Sequence, residues 1–493
     1  MQSLSKQLFQ RSYLLNTRII LYTIGKLLMG LSVAMLFPLI ATFSFGENDW
    51  LAFVIPAFVT FATGFFLSKI FASNEEMSTR EGFSIVALVW VVFTIFGALP
   101  YVFVGHSYTD AFFQTMSGFT TTGSNVFQDI ASHSKGILIW GNITQWIGGM
   151  GIIVMSLAIL PVLGIGGMQL FRAEVPGPVS DKLTPRIRDT AKILYQTYIF
   201  LTLIECLLLW MAGMDFYSAV CHSLSTLSSG GLSPHNASVA HYDSSLIHFI
   251  ITFFMLAAGV NFALHYQFSR FKFSSIWTDT EFKSYLFFTF SVVSVLVLIL
   301  FFQGIYVDLF ICIRDVLFTT IALITGTGFA TVDYEQWPVA CQAILFCLFF
   351  TGGCAGSTTG GIKVIRLVIF CKFAYQQINQ LIHPKAILNL KVNRQMVKDN
   401  VIKGVLGFFI LYILSFMVGT VLMASTGLDL VSASAATATC LGNIGPAFGS
   451  IGPTDNFAHI SVFGKWVLSF LMLLGRLELF TVLVLFTPAF WRD

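Results

Sequence analysis

Hydrophobic and polar positions alternate along this chain in blocks of about twenty residues, the length of a membrane-spanning helix. Apolar runs at 18–45, 50–72, 83–104, 137–164, 190–213, 246–268, 283–305, 404–425 and 463–487 can each cross the hydrocarbon as a helix. A further crossing is split over about 338–351 and 362–380. Between these runs four shorter segments repeat in one register. Ala111–Phe119 leads into Thr120, Thr121, Thr122 and Gly123, and Ala219–Leu227 into Ser228, Ser229, Gly230 and Gly231. Val316–Ile324 leads into Thr325, Gly326, Thr327 and Gly328, and Ala433–Leu441 into Gly442, Asn443, Ile444 and Gly445. Asp110, Ser218, Asp315 and Ser432 stand just before the four blocks, and all are helix-capping residue types. The pattern predicts four short capped helices, each running into a polar strand that carries a glycine.

Such helices are too short to cross a bilayer, so each block enters and leaves by the same face. Non-helical backbone at membrane depth is tolerated only where protein or a wet cavity surrounds it, which gathers the four blocks around one axis. The aligned glycines lie 108, 97 and 117 residues apart, room for two spanning helices and one re-entrant loop per unit. The expected fold is an all-α polytopic membrane protein, with two N-terminal helices and four helix–pore helix–helix repeats around a pseudo-four-fold pore. The expected units are 1–80, 81–189, 190–282, 283–397 and 398–493. The first apolar run is too long for a signal-peptide core and follows Lys6, Arg11 and Arg18, so it reads as a retained span.

Composition agrees. Of 493 residues, 56% are hydrophobic and 10% charged, against about 25% charged in soluble domains. A net charge of +3 makes no case for nucleic acid, and the eight cysteines form no CxxC pair. Of 27 Lys and Arg, only Lys135, Arg314 and Lys465 fall on the side of the glycine loops, and Lys26 and Arg476 fall within spans. The other 22 lie on the opposite side, which puts both termini in the cytoplasm and the loops outside.

A cation crossing a membrane must exchange its water for other oxygens, and a ring of backbone carbonyls supplies them without fixed negative side chains. Glycine reaches the positive φ that aims carbonyls at an axis. The candidate filter is therefore Thr121, Thr122 and Gly123; Ser229, Gly230 and Gly231; Gly326, Thr327 and Gly328; and Asn443, Ile444 and Gly445. The last triplet rests on register, with Gly442 as the other choice. Each short helix also directs its carbonyl end toward the centre, a favourable field for a cation.

Two further stretches stand out. Residues 352–361 hold five glycines (352, 353, 356, 360, 361) with Cys354, Ala355, Ser357, Thr358 and Thr359, so the helix there is interrupted. A phosphate loop is excluded, because Ile362 separates Gly361 from Lys363. Gly475-Arg476-Leu477-Glu478 puts an arginine inside the last span, where its charge requires a cavity or a partner. Glu205 is also intramembrane, with no partner assigned. Asn261 and His265 read as helix-packing groups. Asp129, Asp243, Asp333, Glu335 and Asp455 follow the filter blocks; they either concentrate cations at the mouth or are simply solvated.

With its four glycine blocks, the segment Gly352–Arg366 and Gly475–Glu478, the chain resembles the Trk/Ktr/HKT superfamily of potassium transporters over nearly its whole length, most closely the bacterial TrkH type. The resemblance implies uptake of K⁺ (and Rb⁺) across the cytoplasmic membrane, a homodimer with one pore per subunit, and a TrkA-like cytosolic nucleotide-binding ring as regulator. K⁺ is then the transported ion, and no organic cofactor is expected in this chain. It also implies that Gly352, Gly353, Gly356, Ser357, Thr358, Gly360 and Gly361 form an intramembrane gate beneath the filter. Arg476 then either bonds carbonyls of that loop and repels cations in the shut pore, or pairs with Glu478 or Glu205. In plant members a serine at the first filter position accompanies sodium permeation, so Gly123 points to potassium. The basic segments 172–192 and 381–403 are the expected docking surfaces for the ring.

Two other classes compete with this reading. A proton- or sodium-coupled symporter would place substrate-binding carboxylates on broken helices at the midplane. An intramembrane enzyme would need an HExxH, GxGD or DDxxD-like motif, and the chain has none.

Overall fold

The computed structural model describes residues 16–73, 79–159, 187–271, 277–384, 389–393 and 395–491. The N-terminal pair is α1 (Thr17–Ala34), continued after a turn by α2 (Pro38–Ser44), and α3 (Leu51–Ile70). α1 and α3 cross at Gly25 and Gly64: a β-carbon on Gly64 would lie 2.6 Å from the Gly25 carbonyl oxygen. Small residues at the crossing let the backbones approach, as membrane helices require where lipid offers no hydrophobic drive.

Four units follow. The first comprises α4 (Thr79–Gly97), α5 (Leu99–Phe103), the short helix α6 (Tyr108–Phe119) and α7 (Lys135–Ile159). The second comprises α8 (Ile187–Met211), α9 (Phe216–Ser228), α10 (Ser245–Ala258) and α11 (Phe262–Ser269). The third has α12 (Thr280–Phe302), α13 (Leu309–Ile324), α14 (Val339–Leu348) and α15 (Val364–Ile382). A two-stranded hairpin, β1 (Lys391–Val392) and β2 (Gln395–Met396), precedes the fourth. That unit has α16 (Asp399–Ala424), α17 (Leu430–Gly442) and α18 (Val462–Arg476), then the short α19 (Phe480–Leu483) and α20 (Pro488–Trp491).

Burial separates two kinds of helix. The inner short helices bury nearly every residue of their blocks, polar ones such as Thr115, His222, Thr320 and Thr437 included. The long outer helices expose large apolar side chains, among them Phe58, Phe287, Ile410 and Val421. That is a lipid-facing exterior around a polar centre. Among the described residues, six helices are long and apolar enough to span a membrane, and two bent pairs pass only when each is taken together.

Three expectations need correction. The short helices are not capped at Asp110, Ser218, Asp315 and Ser432; their N-caps are Ser107, Asp215, Asp308 and Asp429. Asp110, Ser218 and Ser432 lie three residues further in. Asp110 accepts back from the Ser107 hydroxyl at 2.7 Å while its N–H donates to that hydroxyl, a reciprocal capping pair. α13 starts more than a turn earlier still, and Asp315 is paired with Arg314 at 2.8 Å.

The other corrections are breaks in two runs read as continuous spans. The run 246–268 bends by 105° between α10 and α11, and 463–487 bends by 111° after Arg476. At the first bend, Gly259 O accepts from Cys354 N–H at 2.8 Å and Phe262 N–H donates to Gly356 O at 3.1 Å. Backbone groups that a straight helix would pair internally are paired instead with the glycine-rich loop. At the second, Glu478 takes φ +56° and its carboxylate meets Arg366 at 2.6 Å.

Candidate functional site

Each short helix ends where its polar strand begins, and the four strands converge. Gly123, Gly231, Gly328 and Gly445 have φ of +81°, +75°, +71° and +105°, a region closed to most L side chains. Two residues earlier in each strand φ is again positive, at Thr121, Ser229, Gly326 and Asn443. Left-handed residues two apart break the alternation by which a β-strand points successive carbonyls to opposite faces.

The four glycines form a closed ring. A β-carbon on Gly123 would land on the carbonyl oxygen of Gly230, one on Gly231 on that of Thr327, and one on Gly328 on that of Ile444. On Gly445 it would lie 2.7 Å from the carbonyl oxygen of Thr122, which completes the circuit. Each missing β-carbon thus leaves room for one carbonyl of the next strand, always from the residue before its aligned glycine. Gly445, not Gly442, closes this ring; Gly442 ends α17 and packs against the Phe349 carbonyl.

The outer loops close a second circuit. Asn236 Nδ2 donates to Asp129 at 2.8 Å, Ala240 N–H to Ala330 O at 3.1 Å, Gly449 N–H to Glu335 at 2.7 Å, and Phe457 N–H to Asn125 O at 2.8 Å. Each bond joins consecutive units, the last joining the fourth to the first. Of the outer carboxylates, Asp333, Glu335 and Asp455 gather where the third and fourth units meet. Burial, then Asp333 and Asp455, hold the Glu335 carboxyl above the usual carboxylate range, against the lowering effect of the Gly449 N–H. Asp129 is tied to Asn236, so the five carboxylates are not one cluster.

In detail the ring is two-fold. Thr120 and Thr122 hydroxyls meet at 2.8 Å, and the opposite strand repeats this with Thr325 and Thr327 at 2.9 Å. The second and fourth strands lack the pair. In the fourth, Asn443 Nδ2 donates to Thr122 Oγ1 at 3.0 Å and to Met472 O at 2.9 Å.

The segment 352–361 lies at the inner end of these strands. A parallel bridge between Thr351 and Ile362 closes its neck, and Gly352 N–H donates to Ile362 O at 2.7 Å. Thr358 Oγ1 meets Ser229 Oγ at 2.9 Å, and a β-carbon on Gly360 would touch Asn443 Cβ at 2.8 Å. Gly353 packs on Gly259 O, and Gly356 and Gly361 have φ of +73° and +67°. Ser357 donates to Cys354 O at 2.5 Å and meets Thr359 Oγ1 at 2.8 Å.

Arg476 is 2% exposed and sits at the break after α18. It donates to Thr358 O at 2.6 Å and to Gly148 O at 3.1 Å, so one guanidinium ties the loop to α7. It pairs with neither carboxylate proposed for it: Glu478 is taken by Arg366, and Glu205 is fully buried beside α9 with no ion-pair partner among the described residues. Asn261 caps α11, and His265 Nε2 bonds Ala257 O at 2.8 Å, both packing roles.

Three residues escape sequence reasoning. Lys363 donates to Thr359 O at 2.7 Å, so two adjacent loop carbonyls, of Thr358 and Thr359, each carry a fixed cation. Gln145 lies behind the second strand. Glu281 accepts from Ala355 N–H at 2.8 Å and Ile365 N–H at 3.1 Å through one oxygen, clamping the loop to the start of α15. Glu281→Ala would strand two buried donors at about 1–3 kcal/mol each, whereas Glu281→Gln keeps an acceptor. Melting in detergent should show a clear loss for Ala and a smaller one for Gln; equal losses would contradict this clamp. No local sequence signal marks any of the three, because their partners lie far along the chain or are backbone groups.

Comparison with known proteins identifies the family. Residues 52–492 match the TrkH family, described as cation transport proteins. The chain is 40% identical over 488 residues to the Trk system potassium uptake protein TrkH of Escherichia coli K12, covering 97% of this chain and 100% of that protein. It is 34% identical over 487 residues to TrkG of the same organism, covering 97% and 99%. The crystal structure of the potassium transporter TrkH from Vibrio parahaemolyticus superposes with a TM-score of 0.89 at 37% identity, over 97% of this chain and 100% of that one. The chain belongs to the TrkH family of cation transport proteins.

Proposed function

We propose that this protein takes up potassium across the cytoplasmic membrane through a channel-like pore gated from within. The observation that carries the reading is the closed ring in which each of four left-handed glycines makes room for a carbonyl of the next strand. An ion entering from outside loses water to the carbonyls of 120–123, 228–231, 325–328 and 442–445. The C-terminal ends of α6, α9, α13 and α17 add their negative dipoles beneath it. The ion then meets the 352–361 loop, whose Thr358 carbonyl is held by Arg476. Releasing that bond and shifting the loop opens the path.

The working unit is a homodimer in the lipid bilayer, with both termini cytoplasmic and repeats at 81–189, 190–282, 283–397 and 398–493 after an N-terminal unit at 1–80. A TrkA-like nucleotide-binding ring docks on the cytoplasmic face. Of its two expected docking segments, 172–192 lies outside the described residues as far as 186, while 381–403 includes the β1–β2 hairpin. Asn393 of that hairpin accepts from Thr280 N–H at 2.7 Å, next to Glu281, so a pull on the hairpin reaches the loop. No enzymatic step and no organic cofactor are involved.

Reconstitution tests this directly. Protein in liposomes should carry Rb⁺ down its own gradient with no proton or sodium gradient, faster when the nucleotide-binding ring is present. Flux that requires a second ion's gradient would favour a symporter instead.

A further inference from the structure

The second strand alone carries a glycine at the position just before its aligned glycine. Where Thr122, Thr327 and Ile444 precede their filter glycines, the second strand has Gly230. Its φ is not in the left-handed region, unlike that of Gly231 beside it, so the backbone does not ask for glycine there. Space does. A β-carbon on Gly230 would fall onto the carboxamide of Gln145, 2.6 Å from Oε1 and 2.7 Å from Nε2.

Gln145 is fully buried in α7, in membrane-embedded surroundings where an amide must find partners. Both partners are on the second strand. Leu232 N–H can only donate, and it reaches Gln145 Oε1 at 3.2 Å. The amide nitrogen therefore faces the other way, and donates to Gly230 O at 2.5 Å. Gly230 O is the oxygen for which Gly123 makes room, hence a member of the four-carbonyl ring. A carbonyl has two lone pairs, so one remains for an ion.

We infer that Gln145 is a selectivity-determining residue, which positions the Gly230 carbonyl and weakens its field at the ion. The inference rests on reading the ring as the ion filter. A donor already on the oxygen draws off part of its negative potential and stops it from closing in on a smaller ion. Both effects disfavour Na⁺ relative to K⁺ or Rb⁺, since size and field strength are the two variables a carbonyl filter has. Gly230 is then the complement of Gln145: the side chain occupies the volume the glycine gives up.

The test compares Rb⁺ and Na⁺ flux in proteoliposomes for the unaltered protein, Gln145→Leu, and the double variant Gln145→Ala with Gly230→Ala. Leucine fills similar volume but cannot donate. The unaltered protein should favour Rb⁺, and Gln145→Leu should lower the Rb⁺ to Na⁺ ratio about fivefold, the factor carried by one ordinary hydrogen bond. Gly230→Ala alone should lose transport, and the double variant should recover flux with a low ratio. If the unaltered protein favours Rb⁺ and Gln145→Leu keeps that ratio, the inference fails while the filter reading stands. If the unaltered protein does not discriminate, the filter reading itself fails. Should Gln145→Leu not assemble, an unaltered ratio in the double variant overturns the inference, and a lowered one supports it.

Discussion

Gly328→Ala should abolish Rb⁺ uptake, whereas Gly304→Ala should leave it nearly intact. The two glycines share a backbone conformation, with φ of +71° and +72°, and differ in what surrounds them. Around Gly304 a new β-carbon meets nothing within 4 Å, so that variant bears only the cost of a left-handed L-residue, about 1–2 kcal/mol. On Gly328 the same β-carbon collides with the Ile444 carbonyl oxygen and comes within 2.7 Å of Pro446 Cδ. Backbone cannot swing aside as a long side chain can. The Ile444 carbonyl is also held from the far side, because Gly445 abuts Thr122 in the same ring. Adding about 1–3 kcal/mol for overpacking gives roughly 2–5 kcal/mol against the native ring, a 30-fold or greater loss of competent pores. Uptake per folded protein in liposomes measures it. Equal uptake by the two variants would mean that the convergence of strands has no part in conduction.

Arg476→Ala should act in the opposite direction and raise flux without the cytosolic ring. Its guanidinium bridges Thr358 O and Gly148 O, two carbonyls on separate units, and takes no carboxylate partner among the described residues. A hydrogen bond from a charged group is worth about 1.5–3 kcal/mol, so losing the Thr358 bond shifts a closed loop toward open by about 10- to 100-fold. Removing a fixed positive charge from the path adds to the effect for a cation. Arg476→Lys should fall between, since one ammonium cannot reach both carbonyls with the geometry of a planar fork. A merely structural arginine predicts the reverse: both variants would lose stability, and flux would drop or stay level.

The sequence made the repeat legible because four glycines share a register and each follows a helix-length block of small and apolar residues. The same logic exposed the loop, since five glycines in ten residues are incompatible with a stable helix interior. The bends were hidden, because a hydropathy run averages over Gly259–Asn261 and Leu477–Leu479 as easily as over an unbroken turn. Their cause is tertiary: the loop takes up the backbone groups of Gly259 and Phe262, and Arg366 draws Glu478 out of the helix. Three of the four helix caps stand about a turn ahead of the expected residue and the fourth, Asp308, seven residues ahead; at the first the reason is local. Asp110 is a sound capping type, but Ser107 stands three residues ahead and completes the reciprocal pair. Gln145 and Glu281 could not be read, because what matters about them is a backbone N–H or carbonyl more than seventy positions away.

Crystals grown in a rubidium salt, with anomalous scattering recorded at the rubidium edge, test the central claim most directly. The ring predicts an anomalous peak on the axis among the carbonyl oxygens of Thr122, Gly230, Thr327 and Ile444. A well-ordered ring with no peak there, or with rubidium bound only elsewhere in the protein, would contradict it.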